Sequence, residues 1–294
     1  MLPALAVADA LTRRGVHVTF AGSAPRACRR ILRYRRPDVV LGAGGFVAGP
    51  MVFAASTLRI PAALTEADAH LGLANRLAAP FAKRLLLAYP IETRWRRKSR
   101  VVGRPIPSAQ RVTQTEAREI FELPADGPVL GVFGALAGAR ALNELVVDTW
   151  GASGPAILHQ TGRRDYELVK RRVDRADYRV IAETERFAAA LTACDLVLAR
   201  SGSAVWEIAA AGRAAILVPY PFATGDHQAL NAQHFVNAGG AILVRELELD
   251  RVPDLVHSLL DDPLRLKAMG AAMLEAAKPG AAEEIADELL ALAG

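Results

Sequence analysis

The sequence is poor in cysteine, in aromatic residues and in long apolar runs. Only Cys28 and Cys194 occur among 294 residues. No disulfide framework follows, and a reducing cytosol is the default setting. Aromatics make up 6% of a chain that is 52% hydrophobic, so Ala, Leu and Val supply the apolar mass, a mix suited to helices packed on buried parallel strands. No apolar run reaches the roughly 18 residues that a membrane-spanning helix needs. The opening stretch, Met1–Gly15, carries its charges after its apolar part, the wrong order for a secretion signal. Acidic charge is scarce in the first part. Residues 1–107 hold 18 Lys+Arg against 5 Asp+Glu, a net of +13, and the remainder holds 18 against 26, a net of −8. A basic part joined to an acidic one points to an anionic partner for the first: a phosphate-bearing ligand, an anionic membrane surface or nucleic acid, with plain solubility as the bland reading. No recognised nucleic-acid module or aromatic stacking platform accompanies the basic runs, which argues against nucleic acid.

What is present is an alternation of short apolar runs and helical patterns. The spacing predicts strands at Val16–Ala21, Asp38–Leu41, Ala62–Thr65, Leu85–Ala88 and Arg100–Val102, then at Val129–Phe133, Ala156–Gln160, Tyr178–Ile181, Leu196–Ala199, Ala215–Pro219 and Ala241–Val244. Between them it predicts helices such as Asn143–Trp150, Asp165–Arg175, Arg186–Ala193 and Val205–Ala211. Such alternation implies parallel sheets with right-handed crossovers. Two prolines in the Gly103–Pro107 stretch mark a linker. We read an α/β chain of two Rossmann-like domains facing each other across a cleft: 1–105, 106–280, and a last amphipathic helix, Ala281–Leu292 within 281–294, that packs back on the first domain.

Ligands in such sheets bind beyond the carboxyl ends of the strands, and five loops there carry suitable residues. Val40–Pro50 holds Gly42, Gly44, Gly45 and Gly49, either a close backbone approach to a ligand or only a tight turn. Leu64–Arg76 gathers Thr65, Glu66, Asp68, His70 and Asn75, either a site or a solvated loop in which Asp68 caps a helix from about Leu71. Val132–Asn143 places Gly134 and Gly138 at a strand-to-helix turn whose free N–H groups attract phosphate. Leu196–Gly212 runs from a strand through Ser201–Gly202–Ser203 into a helix that Ser201 or Ser203 can cap, with Glu207 one turn in, where a carboxylate can accept from a ribose diol or merely support the helix start. Leu217–Ala232 sets Asp226, His227, Gln228 and Asn231 on one helical turn, a spacing better suited to sugar hydroxyls than to a metal.

Taken in order, these loops resemble the family that transfers N-acetylglucosamine from UDP-GlcNAc to a lipid-linked muramyl-pentapeptide, a precursor of peptidoglycan. The resemblance rests on LPALAVADAL (Leu2–Leu11), PDVVLGAGGFVAGP (Pro37–Pro50), RSGSAVWEIAAAG (Arg200–Gly212) and the Asp226–Ala241 run. It implies a GT-B fold and an inverting transfer without a metal or other cofactor. A base would deprotonate the acceptor hydroxyl, and the helix after Ser203 would stabilise departing UDP. By the same resemblance Glu207 would hold the ribose, Ser201, Gly202 and Ser203 the diphosphate or sugar, and Gln228, with Asn231 nearby, the GlcNAc hydroxyls. Asp226 and His227 belong to the same cluster. Gly134 would approach the phosphates, and Gly44 and Gly45 would face the lipid diphosphate.

Departures from the pattern are equally specific. Asp68 stands where the family has an Asn that helps bind the donor, with Asn75 downstream. Leu136 stands for a phosphate-contacting Ser, and Pro107 for an Arg that Arg104 partly replaces. The family's GGTxGH loop, whose His is the suspected base, would precede Met1, and a strand, loop and helix would follow Gly22, so weak or absent transfer is expected. A non-catalytic UDP-sugar-binding paralogue and another GT-B enzyme, such as a UDP-GlcNAc 2-epimerase, are the alternatives. A lipid-linked acceptor places the protein at the cytoplasmic side of the cell membrane as a peripheral protein. The runs Arg26–Arg36 and Arg94–Arg100, which mix arginine with Tyr34 and Trp95, fit an anionic membrane surface.

Overall fold

The computed structural model describes residues 2–22, 25–106, 112–134 and 139–294, and the chain divides into two compact units, Met1–Ser108 with Lys278–Gly294, and Ala109–Ala277. Leu136 and Pro107 lie outside the described residues.

The first unit contains α1 (Leu2–Arg13), α2 (Pro25–Arg35), β1 (Val40–Gly42), α3 (Ala48–Thr57), β2 (Ala62–Glu66), α4 (Leu73–Ala78), β3 (Arg84–Leu87) and β4 (Ser99–Val101). The strands are parallel and pair in sequence order, β1-β2-β3-β4. Side-chain alternation splits two adjoining strands between two cores. Ala62, Leu64, Leu85 and Leu87 pack under α2 and α3 with Leu32, Met51 and Val52. Ala63 and Leu86 pack on the other face with Val7 and Leu11 of α1 and with Ile285 and Leu289 of the last helix. Both faces are covered, so the strands read as apolar runs without alternating polarity. Arg14 reinforces the helix pair through Glu283, at 2.6 Å, and Asp287.

Val16–Ala21, predicted as a strand, pairs with no strand among the described residues. Val16 and Val18 lean on the second core, but Phe20 is 57% exposed. The alternation is real, yet a strand also needs a ladder partner for its N–H and C=O groups, and β-propensity supplies none.

The second unit contains α5 (Gln114–Ile120), β5 (Val129–Phe133), α6 (Arg140–Trp150), β6 (Ala156–Gln160), α7 (Tyr166–Lys170), β7 (Tyr178–Ile181), α8 (Phe187–Ala193), β8 (Leu196–Ala199), α9 (Val205–Ala210), β9 (Ala214–Leu217), α10 (His227–Asn237), β10 (Ala241–Leu243), α11 (Val252–Leu260) and α12 (Pro263–Ala276). The final helix α13 (Ala281–Ala293) belongs to the first unit. The helix predicted over Asp165–Arg175 is shorter. Arg175 instead leaves the helix and donates to Trp150 O (2.8 Å) and to Asp177.

The second sheet is parallel, in the order β10-β9-β8-β5-β6-β7. The chain builds outward from β5 through β6 to β7, then returns to β8 beside β5 and builds the other way. The reversal point lies between β5 and β8, and doubly wound sheets bind ligands beyond the carboxyl ends of the strands at such a point.

Candidate active site

The β8–α9 turn lies at that reversal. Arg200, 8% exposed, donates to Pro219 O (3.1 Å) and pairs with Glu246, tying the end of β8 to the end of β9. Ser201 is fully buried, and its hydroxyl has no hydrogen-bond partner among the described residues. The expected side-chain cap is absent: the residue before α9 is Ala204, with no capping hydrogen bond. A serine buried under the turn cannot swing out to cap it. The turn's backbone is therefore not engaged by a cap from its own serines, and Ser203 is exposed. Glu207 lies half-buried in the first turn of α9. A Cβ added to Gly202 would lie 3.7 Å from Gln228 Nε2, so that amide faces the turn, while Gln228 Oε1 accepts from Tyr220 N at 2.9 Å.

The cluster predicted on one helical turn separates into three roles. Asp226 precedes α10 in a left-handed conformation (φ 51°), is half-exposed and pairs with Arg245 at 3.1 Å. His227 and Gln228 open the helix. Asn231, 1% exposed, donates its side-chain amide to Ser201 O at 3.4 Å, so it braces the β8–α9 turn from below.

At the end of β5, Gly134 N donates weakly to Gln160 O, at 3.5 Å, so its N–H continues the ladder. α6 begins after Ala139, again without a side-chain cap. Phe187, which the sequence reading missed, meets Phe133 edge to face at 5.2 Å near the same end of the sheet. An aromatic at the start of a helix after a strand end was its only sequence signal.

In the first unit, Gly44 (φ 87°) and Gly45 (φ 73°) both take the left-handed conformation that side chains resist. Their turn leans over β2: a Cβ on Gly44 would lie 4.0 Å from Thr65 O. Asp68 does not cap α4, which starts at Leu73 behind an uncapped Gly72. Glu66 organises the loop instead. Its Oε1 accepts from Ala67 N (2.9 Å) and Asp68 N (3.3 Å), and its Oε2 from Gly72 N and Asn75 Nδ2, both at 2.9 Å. Asn75 Nδ2 also donates to Thr65 O at 2.9 Å, while its Oδ1 is buried without a partner among the described residues. Arg104 joins Thr65 and Glu66 around a pocket of about 170 Å³ at the carboxyl ends of β1–β3. The structure thus gathers Gly44, Gly45, Asp68, Asn75 and Arg104 at the end of one sheet and Gly134, Ser201–Ser203, Glu207 and Gln228 at the end of the other.

Comparison with known proteins agrees with this architecture. Residues 21–87 match the glycosyltransferase family 28 N-terminal domain and residues 129–285 its C-terminal domain. A protein of Acidithiobacillus ferrooxidans named UDP-N-acetylglucosamine–N-acetylmuramyl-(pentapeptide) pyrophosphoryl-undecaprenol N-acetylglucosamine transferase is 39% identical over 352 residues, covering 100% of this chain and 95% of that one. Among solved structures, Acinetobacter baumannii MurG is similar with a TM-score of 0.74 at 24% identity, covering 98% of this chain and 95% of that one. UDP-GlcNAc 2-epimerase from Neisseria meningitidis, bound to UDP-GlcNAc, is similar with a TM-score of 0.63 at 15% identity, covering 91% and 79%. These two structural likenesses speak for the fold, whereas the family models and the 39% identity assign lineage. The chain is a glycosyltransferase of family 28 and belongs to the UDP-N-acetylglucosamine–N-acetylmuramyl-(pentapeptide) pyrophosphoryl-undecaprenol N-acetylglucosamine transferases.

Proposed function

We propose that the second unit binds UDP-GlcNAc at the carboxyl ends of β5 and β8 and that the chain transfers the sugar to the lipid-linked muramyl-pentapeptide. The observation that supports this reading is the strand reversal between β5 and β8, with the β8–α9 turn following β8 and the Gln228 amide facing that turn. Neither α6 nor α9 has a side-chain cap; at α9 the N–H groups of Val205 and Trp206 turn back to Gly202 O (3.2 Å) and Ser203 O (3.4 Å), so the helix-start N–H groups offered to a diphosphate are chiefly those of α6. Glu207 accepts from the two ribose hydroxyls, and Gln228 Nε2 donates to the sugar. These N–H groups stabilise the charge that develops on departing UDP. In the first unit, the positive-φ turn at Gly44–Gly45 and the loop held by Glu66 receive the acceptor, and Arg104 faces its diphosphate. The epimerase alternative is not favoured, because its likeness is confined to the fold.

Association with the membrane is peripheral in this reading. No helix among the described residues is long and apolar enough to cross a membrane. Leu73 and Leu77 on α4 are 68% and 67% exposed, and the neighbouring Phe81 is 42% exposed. Arg76 and Lys83 lie exposed beside them, while α2 exposes Arg29, Arg30, Arg33, Arg35 and Tyr34. Apolar side chains rimmed by cations favour an anionic lipid surface. The second basic run exposes Arg94, Arg96, Arg97 and Arg100. Lys98 turns inward to the carbonyls of Ala79 and Ala82 (2.8 Å), where burial lowers its pKa, and Arg100 lies 3.8 Å from Glu288.

One assay separates the enzyme readings. Labelled GlcNAc should enter the lipid fraction only when the lipid-linked acceptor is present. Conversion of UDP-GlcNAc to its C2 epimer without acceptor would instead support the epimerase. Sedimentation with anionic but not neutral vesicles, reversed by salt, tests the membrane part.

A further inference from the structure

Beneath the start of α6 runs a buried polar chain that the site described above does not use. His159, inside β6 and fully buried, lies 2.8 Å from Tyr178 Oη through Nδ1 and 2.9 Å from Asn143 Oδ1 through Nε2. Asn143 Nδ2 reaches Thr161 O at 3.0 Å and Asp165 Oδ2 at 3.1 Å. Both of those atoms only accept, which fixes the orientation of the amide. Nε2 of His159 must then carry the proton, Nδ1 must accept, and Tyr178 must donate. The chain therefore has one direction, Tyr178 to His159 to Asn143 to Asp165, and Arg164 closes it on Asp165 with two 3.0 Å contacts.

Its location matters more than its polarity. Asn143 stands in the first turn of α6, and its backbone N–H bonds to Ala139 O at 2.9 Å. His159 is the penultimate residue of β6, and Thr161 and Asp165 follow that strand. The chain thus ties the first turn of α6 to the carboxyl end of the sheet. Apolar side chains of the same size could fill this space at little or no loss of stability, because removing both partners of a buried hydrogen bond is close to neutral. What they could not do is fix the height and rotation of the helix start. Arg118 and Asp195 provide a contrast. They pair at 2.8 Å at the amino end of the same sheet, with Asp195 also accepting from Val129 N and Gln114.

We propose that Asn143 and His159 are positioning residues for the donor diphosphate: they hold the first turn of α6 at the height and rotation at which its backbone N–H groups meet the phosphates. This rests on the donor site proposed above. The experiment measures UDP and uridine dissociation constants for the full chain and for three variants: Asn143→Ala, the apolar triple Asn143→Leu/His159→Leu/Tyr178→Phe, and Asp195→Asn as a control at the far end. Far-UV circular dichroism reports that each is folded. Loss of positioning should weaken UDP by about tenfold or more in the first two, since sub-ångström to ångström misplacement is costly. Uridine, which lacks the phosphates, should move less than twofold, and Asp195→Asn should leave both ligands unchanged. Equal weakening of UDP and uridine, or unchanged UDP binding in the apolar triple, overturns the proposal. Failure of the unaltered chain to bind UDP overturns the donor-site reading instead. If Asn143→Ala does not fold, the apolar triple decides the matter alone: it removes both partners of the Tyr178–His159–Asn143 bonds and keeps the Arg164–Asp165 pair, giving up only the amide contacts to Thr161 O and Asp165.

Discussion

The two sheets differ in how they mark a site. In the second unit the strand order reverses, and the reversal alone marks the ligand position expected between β5 and β8. In the first unit the four strands run in sequence order, with no reversal among the described residues. There the loops at the carboxyl edge are held in place by a side chain, Glu66, whose carboxylate gathers three backbone N–H groups and one amide. Topology makes one site, and a buried-edge carboxylate shapes the other. The contrast teaches that the donor unit should tolerate loss of a ligand contact without unfolding, whereas the first unit should lose its loop together with its stability.

The sharpest way to break this contrast is at Glu66. Glu66→Ala leaves Gly72 N without its acceptor and Asn75 Nδ2 with Thr65 O alone, and should cost the first unit about 3 kcal/mol. Hydrogen exchange should show lost protection in β2 and β3 but not in β5 and β8, and UDP affinity should stay within twofold. Broad loss of protection in both sheets would mean that Glu66 serves more than its own loop. The opposite pattern is expected at Glu207. Glu207→Ala removes a charged acceptor from the ribose and should weaken UDP by about thirtyfold, near 2 kcal/mol. The melting temperature in the absence of nucleotide should fall less than in Glu66→Ala. A full-strength titration of UDP into this variant would remove Glu207 from the site.

The same contrast explains what could be read from the chain alone. Strands covered on both faces, such as Val129–Phe133 and Leu196–Ala199, announce themselves as short β-rich apolar runs, and their bounds match the structure. Val16–Ala21 carries the same signal, but pairing is a long-range property that no local pattern contains. The glycines of the β1–α3 turn were legible because positive φ demands them. The role of Glu66 was not, since its partners are backbone N–H groups that every residue offers. Asn231 looked like a sugar ligand because helical spacing says which residues are neighbours and not which way a buried amide points. The His159–Gln160 pair was the missed clue, because two polar residues ending an apolar strand must find partners inside the fold.

That histidine gives the next test. Burial holds the His159 imidazole down at about 3, against 6.5 for an exposed one. Asn143, Tyr178 and, beyond the amide, Asp165 are the groups around it. Burial keeps the Tyr178 hydroxyl protonated, and Arg164 holds the Asp165 carboxyl below its usual range. In the unfolded chain His159 takes up a proton near pH 6.5, and in the folded chain it does not. Its contribution to stability is therefore complete above about 6.5 and is lost as the pH falls towards 3, at about 1.4 kcal/mol per pH unit. Denaturation of the unaltered chain and of His159→Gln between pH 7 and 5 should show a shallower decline in the variant. Parallel declines would show that His159 stays neutral in both states or is protonated in both.

The smallest effect is expected where the second unit uses a cap for stability alone. α5 starts at Thr113, whose hydroxyl accepts from Glu116 N at 3.2 Å while the Glu116 side chain accepts from Thr113 N at 2.7 Å, a reciprocal capping box. α6 and α9, which follow the reversal strands, have no side-chain cap. If those bare helix starts are kept for a ligand, a cap elsewhere should matter to folding and not to binding. Thr113→Ala should cost about 1 kcal/mol, visible as a lower denaturation midpoint, with the UDP dissociation constant unchanged. A loss of UDP affinity in this variant would show that helix-start chemistry far from the strand reversal also reaches the nucleotide, and the division between stabilising caps and ligand-facing helix starts would collapse.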